Sequence, residues 1–308
     1  MRKLTRLRGK LVLATAACMV LATSQNASAL AITGIEDTVG IGGVLSGAVL
    51  GPSSGITVVG TNYQGTNTAS FQQSGTYTGL NLTPSNGSGP KLSMSNGIFL
   101  STGNVNVVGP NVIGDTSESG GSGSSGALSA LSLNGGGSGV TNDTNGIDIF
   151  FTVAAGVTSI SAQFMFATEE FPTENVTDIF GFQVDGVNYA KFSSGELISN
   201  TPGNPTNFIS NPVGAGRYNI AYNGLTRVFT VVGLLATGGD EVHLLSIGIA
   251  DTEDTLFDSG VFVSSLQAGT ATEGGINPDP NQVPEPASLA LVGLGVAGLL
   301  AARSRSKA

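Results

Sequence analysis

Ile160–Asp185 reads ISAQFMFATEEFPTENVTDIFGFQVD, and its pattern decides the fold class. Ile160, Ala162, Phe164 and Phe166 alternate with Ser161, Gln163, Met165 and Ala167, the period-2 pattern of a half-buried β-strand. The strand runs into two adjacent carboxylates, Glu169 and Glu170. A proline loop follows, then Asp178, then a second alternating run through Phe180, Phe182 and Val184. That run ends on Asp185-Gly186, and Val187 and Tyr189 resume the alternation beyond it. A two-residue Asp-Gly link between alternating runs predicts a hairpin.

The same kind of run recurs outward from this centre. Asp148–Val153 reads as a strand with Ile147, Ile149, Phe151 and Val153 on one face, and Gly97–Gly103 reads as another. Arg217–Tyr222 and Leu225–Val232, joined by Asn223-Gly224, read as a second hairpin with a type I′ turn. Val242–Ala250 and Val261–Leu266 read as the last strands, and a second acidic loop, Asp251–Asp258, lies between them. The apolar runs Val44–Leu50, Ile56–Val59 and Ala69–Phe71 are assigned as short strands, and Asn81–Pro90 as a turn cluster. Ser117–Gly139 is a Gly/Ser tract expected to be flexible and exposed. No helical periodicity stands out between the termini. The expectation is an all-β fold, a sandwich or jelly-roll-like domain of short antiparallel strands.

Composition narrows the function classes. The 308-residue chain has 46 glycines, no Trp, one Cys and one His, with a formal net charge of −9. Its basic residues gather at the ends: five lie in the first ten positions and three in the last six, leaving Lys91, Lys191, Arg217 and Arg227. All 21 acidic residues lie between Glu36 and Glu285. The acidic body repels a phosphate backbone, so nucleic acid is an unfavourable partner and cations are favourable ones.

Both ends read as addresses. Residues 1–29 have a basic start, the apolar stretch Leu11–Ala22 and Ala27-Ser28-Ala29, the pattern of a secretory signal peptide cut by signal peptidase. Cleavage after Ala29 removes Cys18 and leaves an exported chain without a disulfide. Residues 269–282 read as a Gly/Pro/Asn linker. Val283-Pro284-Glu285-Pro286 then precedes the charge-free Ala287–Ala302 and the basic residues Arg303, Arg305 and Lys307. The apolar segment is a single transmembrane anchor helix by expectation, slightly short of the ~20 residues of a bilayer span. Its basic end predicts a cytoplasmic C-terminus.

The order Val-Pro-Glu-Pro, apolar helix, basic cluster over residues 283–308 resembles the PEP-CTERM sorting tail. That resemblance implies transient anchoring in the inner membrane of a Gram-negative bacterium, cleavage near Pro284-Glu285-Pro286 by an exosortase, and release to the cell surface or matrix. It also implies an association with exopolysaccharide and biofilm. The body is similar to the choice-of-anchor L domain over about residues 30–268. The carrying segments are FMFATEEFP from Phe164, TDIFGFQVDG from Thr177 and IADTEDTLFDSGVFVSSLQ from Ile249, with GIFLSTGNV, VGPN and DIFFTV before them.

The acidic loops allow three readings. Glu169, Glu170 and Asp178 form one group, and Asp251, Glu253, Asp254 and Asp258 the other. Carboxylates in runs usually face water. Alternatively, Glu169, Glu170, Asp178, Asp251, Asp254 and Asp258 supply oxygens to a Ca²⁺ ion, which takes 6–8 of them and tolerates irregular loops. The spacing is not that of an EF-hand. The third reading is a carbohydrate-active hydrolase using Glu169 or Glu170 with Asp178, because glycoside hydrolysis needs two carboxylates across the scissile bond. The absence of Trp weighs against it. His243 shares an alternating face with Leu245, Ile247 and Ile249 and reads as a partly buried, hydrogen-bonded strand residue. Its isolation excludes His/Cys zinc sites and thiol–histidine catalysis. The leading expectation is therefore a secreted, non-enzymatic surface or matrix protein, Ca²⁺-stabilised and in contact with exopolysaccharide.

Overall fold

The computed structural model describes residues 29–277 apart from 37–38, 112–116, 121–122, 136, 173–177, 200–204, 215–216 and 237–240. The expected signal peptide of residues 1–29, up to residue 28, and the expected anchor segment 283–308 lie outside the described residues. Among those described, no helix is long and apolar enough to cross a membrane.

Strand β1 (Ala31–Gly34) precedes helix α1 (Ile41–Val49), followed by β2 (Ile56–Gln64), β3 (Ser74–Thr78), β4 (Asn81–Leu82), β5 (Leu92–Ser93) and β6 (Gly97–Ser101). Helix α2 (Gly126–Asn134) leads into β7 (Thr141–Val153), β8 (Ser159–Thr168), β9 (Ile179–Val184), β10 (Val187–Asn188) and β11 (Ile198–Ser199). The remainder forms β12 (Phe208–Ser210), β13 (Gly224–Thr226), β14 (Phe229–Leu234), β15 (His243–Thr252), β16 (Ser259–Gly269) and β17 (Gly275–Asn277). The larger sheet runs β1-β3-β6-β16-β8-β13-β12, with β14 also on β8 and β17 on β14. The smaller runs β10-β9-β15-β7-β2, with β11 on β9. The named pairs are antiparallel throughout, as an all-β reading requires.

The sheets pack face to face through one apolar cluster. Ile98 and Leu100 of β6, Phe164 and Phe166 of β8, and Val261 and Val263 of β16 meet Ile147, Ile149 and Phe151 of β7, Phe180 and Phe182 of β9, and Leu245, Ile247 and Ile249 of β15. These are the inward positions of period-2 strands, so the sandwich follows from the alternation. β8 is not half-buried as expected. Met165 and Ala167 are also buried, because a second cluster with Tyr77, Phe99, Phe262, Tyr218 and Tyr222 covers the outer face of the larger sheet.

Asp185-Gly186 forms the expected tight turn, with φ of 49° and 82° at its two residues. It joins β9 to β10, with Val184 opposite Val187. The Asn223-Gly224 hairpin does not form. Gly224–Thr226 pairs instead with β12 and β8. Asn211 organises residues 218–222: its Nδ2 donates to the carbonyls of Ile220 (3.1 Å) and Tyr222 (2.9 Å), and its Oδ1 accepts from Tyr218 N–H (2.8 Å), while Asn111 Nδ2 also donates to the Ile220 carbonyl (3.3 Å). Val44–Leu50 is not a strand either. Ile41, Leu45 and Val49 lie one above another on the buried face of α1, the i, i+4, i+8 spacing of a helix. The Gly/Ser tract contains α2, capped where Ser125 Oγ accepts from Leu128 N–H (3.4 Å). Ala69–Phe71 forms no strand, and Gly275–Asn277, inside the stretch read as linker, pairs with β14.

Phe164 lies 5.0 Å from Phe180 and 5.6 Å from Phe229, ring centre to ring centre. Truncating Phe164→Ala should therefore cost about 3–5 kcal/mol in urea unfolding. The exposed Val59→Ala should change it by less than about 0.5 kcal/mol.

Candidate functional site

The two acidic loops converge at one end of the sandwich, and strand parity explains how. Phe180, Phe182 and Val184 point inward, so two residues before Phe180, Asp178 points the same way. Leu245, Ile247 and Ile249 point inward, so Asp251 follows them. The last ladder pair there is Ala250 with Ile179, and the next step brings Asp251 opposite Asp178. Ser259 of β16 shares the parity of Val261 and Val263. The core alternation therefore continues, with acids and hydroxyls in place of apolar side chains.

Asp178 is fully buried, and Glu170, Asp251, Asp258 and Glu169 are 1%, 1%, 2% and 4% exposed. Asp178 N–H donates to Glu170 Oε2 (3.1 Å), and Glu170 N–H donates to Thr168 Oγ1 (3.1 Å). The loops are tied where Glu169 N–H donates to the Asp258 carbonyl (3.2 Å). Asp258 Oδ1 accepts from Glu118 N–H (3.1 Å), and its carboxylate lies against Gly103, where a side chain would collide with it. Thr102 Oγ1 accepts from Ser259 N–H (2.9 Å).

A sixth acid joins that the sequence reading missed. The ladder between β15 and β7 shifts register between Ile249 and Asp251, opposite a bulge on β7 that holds Asp143 and Thr144. Asp143 takes φ = 41° there and is 2% exposed. Its carbonyl accepts from Gln73 Nε2 (2.9 Å) and its Oδ1 from Ser119 Oγ (3.3 Å). Glu253 and Phe257 in the second loop also have positive φ, 74° and 60°. Non-glycine residues in this region are uncommon and gather at functional sites. The signal in the sequence was Asn142-Asp143-Thr144-Asn145, a polar run at the head of an apolar strand. Asp254, by contrast, stays outside the buried group. Its Oδ1 accepts from Leu256 N–H (3.0 Å) and its carbonyl from Asn142 Nδ2 (2.8 Å).

Electrostatically the arrangement is costly. Burial, and then the Glu170 carboxylate, push Asp178 well above the ordinary carboxylate range. Burial, and then the charge of Asp178, do the same to Asp251. Burial and the Glu169 charge also raise Tyr222. Ser259 and Asp251 face Asp178 and ease its shift, yet neither completes a hydrogen bond of normal geometry. Both Asp178 carboxylate oxygens, Asp251 Oδ1 and Ser259 Oγ are buried without a hydrogen bond. Among the described residues the one ion pair is at the opposite end of β9, where His243 Nδ1 lies 2.8 Å from Asp185 Oδ2. His243, read from its strand face as partly buried and hydrogen-bonded, is bonded to Asp185 and, at 2% exposed, more deeply buried than expected.

The donor set is all oxygen, which suits a hard cation. As placed, however, no three His, Cys, Asp or Glu side chains among the described residues stand ready to hold a metal ion. Among the described residues Glu169, Glu170 and Asp178 are all buried.

Two findings from comparison bear on this arrangement. A family model described as the choice-of-anchor L domain matches residues 45–268, and one described as the PEP-CTERM protein-sorting motif matches residues 282–306. No curated protein and no solved structure matches the chain.

Free of cations, the raised acids make stability depend on pH. Asp178 and Asp251 titrate from 3.8 when unfolded, and higher when folded. Their stabilising contribution is complete below about 3.8 and is lost as pH rises through the folded values. In chelator, the melting temperature should fall between pH 4 and 7, and Asp178→Asn should flatten that slope.

Proposed function

The chain belongs to the choice-of-anchor L domain family, and from that membership and its tail we propose a non-enzymatic protein of the bacterial surface or extracellular matrix whose sandwich is stabilised by Ca²⁺. The sorting half rests on the motif at 282–306. In this reading the signal peptide carries the chain across the inner membrane and the apolar tail holds it there transiently. An exosortase then cuts near Pro284-Glu285-Pro286, and the body reaches the surface, in contact with exopolysaccharide and biofilm.

The calcium half rests on one observation: two facing, buried acids, Asp178 and Asp251, three of whose four carboxylate oxygens lack a hydrogen bond. Buried charge without compensation is strongly unfavourable, so such a site favours either protons or a cation. Asp178, Asp251, Glu170 and Asp258 would hold the ion, with Asp143 and Ser259 close by. Bound calcium would supply positive charge that this part of the chain lacks. The disulfide-free exported body would gain a cross-link between both sheets and both acidic loops.

Calcium at about 100 times its dissociation constant should add about 2.7 kcal/mol, raising the melting temperature by roughly 5–10 °C over chelator. Asp178→Asn should remove that increment, and Asp254→Asn should keep it. Identical melting in calcium and in EDTA would refute the calcium reading. Separately, deleting residues 283–308 should abolish surface retention, measured by fractionation and surface labelling; unchanged display would refute the sorting reading.

A further inference from the structure

The outer face of the smaller sheet carries a groove of about 350 Å³ that is lined by none of the carboxylates of the acidic cluster. Its floor is set by register. Asn62 of β2 pairs with Asp148 of β7, Asp148 with Ser246 of β15, and Ser246 with Gln183 of β9. These four side chains have the parity opposite to the core, so they form one polar row across four strands. At a strand spacing of about 4.8 Å the row runs roughly 14 Å. Asp148 Oδ1 accepts from Ser246 Oγ at 2.6 Å, which fixes the middle of the row.

The flanking rows differ from it and from each other. On one side, Gly146, Gly248 and Gly181 are successive register partners. Helix α2 sits on this side, and a Cβ on Gly181 would stand 3.0 Å from Leu128 and 3.1 Å from Leu131. The glycines let the helix descend to form a wall, and the Gln183 amide reaches over Gly181. On the other side, Phe150 pairs with Leu244, and both are half-buried. An ordinary solvated sheet face is polar too. It has no reason to place a helix wall, a polar bar and an apolar strip in parallel.

We propose that this groove binds a segment of a neutral polysaccharide. The row offers amide, hydroxyl and carboxylate groups, donors and acceptors together, which is what vicinal sugar hydroxyls require. Leu244 lines the groove where the C–H face of a ring would pack, with its register partner Phe150 beside it. Among the described residues no Lys or Arg lines the groove, and Asp148 and the acidic body disfavour a phosphate or uronate. The length of the row suits a chain of sugars better than a single one. The inference rests on the surface location proposed above only for where such a glycan would be met; the binding itself depends on neither sorting nor calcium.

The test uses the full purified chain on an array of neutral and uronate-containing oligosaccharides, followed by calorimetric titration with the best soluble neutral hexasaccharide, with calcium and with EDTA. The expected result is binding to at least one neutral glycan, with a dissociation constant of about 1 mM or tighter. Asn62→Ala combined with Gln183→Ala should weaken it about tenfold, with unchanged circular dichroism and melting temperature. The exposed Val187→Ser on β10 should bind as the parent does. Binding to no neutral glycan, preference for uronates, or affinity that survives the double substitution overturns the proposal. So does a concentration-dependent dimer that the double substitution dissociates, which would assign the face to a second copy of the chain. A chain that binds the glycan yet fails to reach the surface or to respond to calcium leaves this inference standing and refutes only the earlier one.

Discussion

Carboxylates in the interior are the constraint on which the rest depends. A strand cannot choose its inward residues singly; every second side chain goes inside. In β9 and β15 that rule buries three aromatic or branched residues in succession in each strand and then, one step further, Asp178 and Asp251. With Lys91, Lys191, Arg217 and Arg227 as the body's only Lys and Arg side chains, the acids must be neutralised by protons or by an ion taken from solution. The apolar middle of the sandwich supplies the stability against which this end can be strained.

The acidic end also joins what the core keeps apart. Its residues lie in or next to the ends of β8 and β16 of the larger sheet and of β7, β9 and β15 of the smaller. A layer of buried amides backs it: Gln73 Nε2 donates to the Thr102 carbonyl (2.7 Å), and Asn145 Nδ2 donates to the carbonyls of Gln73 (2.7 Å) and Ser101 (3.1 Å). Such polar layers fix a single arrangement when satisfied and cost most when incomplete. Here the amides are satisfied and the carboxylates of Asp178 and Asp251 are not. The place where a ligand would matter is thus sharply delimited.

Much of this could be read from local patterns, and the failures have physical causes. Alternation identified β7, β8, β9, β15 and β16, and Asp185-Gly186 identified its turn because the residues that make that turn are adjacent in sequence. Asn223-Gly224 carried the same signal and lost to Asn211, a side chain twelve residues away. The run Val44–Leu50 was short enough to satisfy strand and helix alike, and only the buried row Ile41, Leu45, Val49 decides between them. α2 was hidden because Gly and Ser dominate its surroundings; its seat on Gly181 and Gly248 lies more than fifty residues further along the chain. Asp143 was missed because a bulge, which no period-2 pattern encodes, turns it inward. The meeting of the two acidic loops, in contrast, was latent in the parity of Phe180 and Ile249 and needed only the pairing of β9 with β15 to become explicit.

Gly275–Asn277 is the last described piece of chain before the tail, and it is laced by three residue pairs to β14, which in turn lies along six residues of β8. Any tug on a tethered C-terminus therefore enters the domain through that seam and passes next to β8, an interior strand of the larger sheet. The outermost stitch is three residues long and can give way first. The body behind it would then be left intact, on a longer leash.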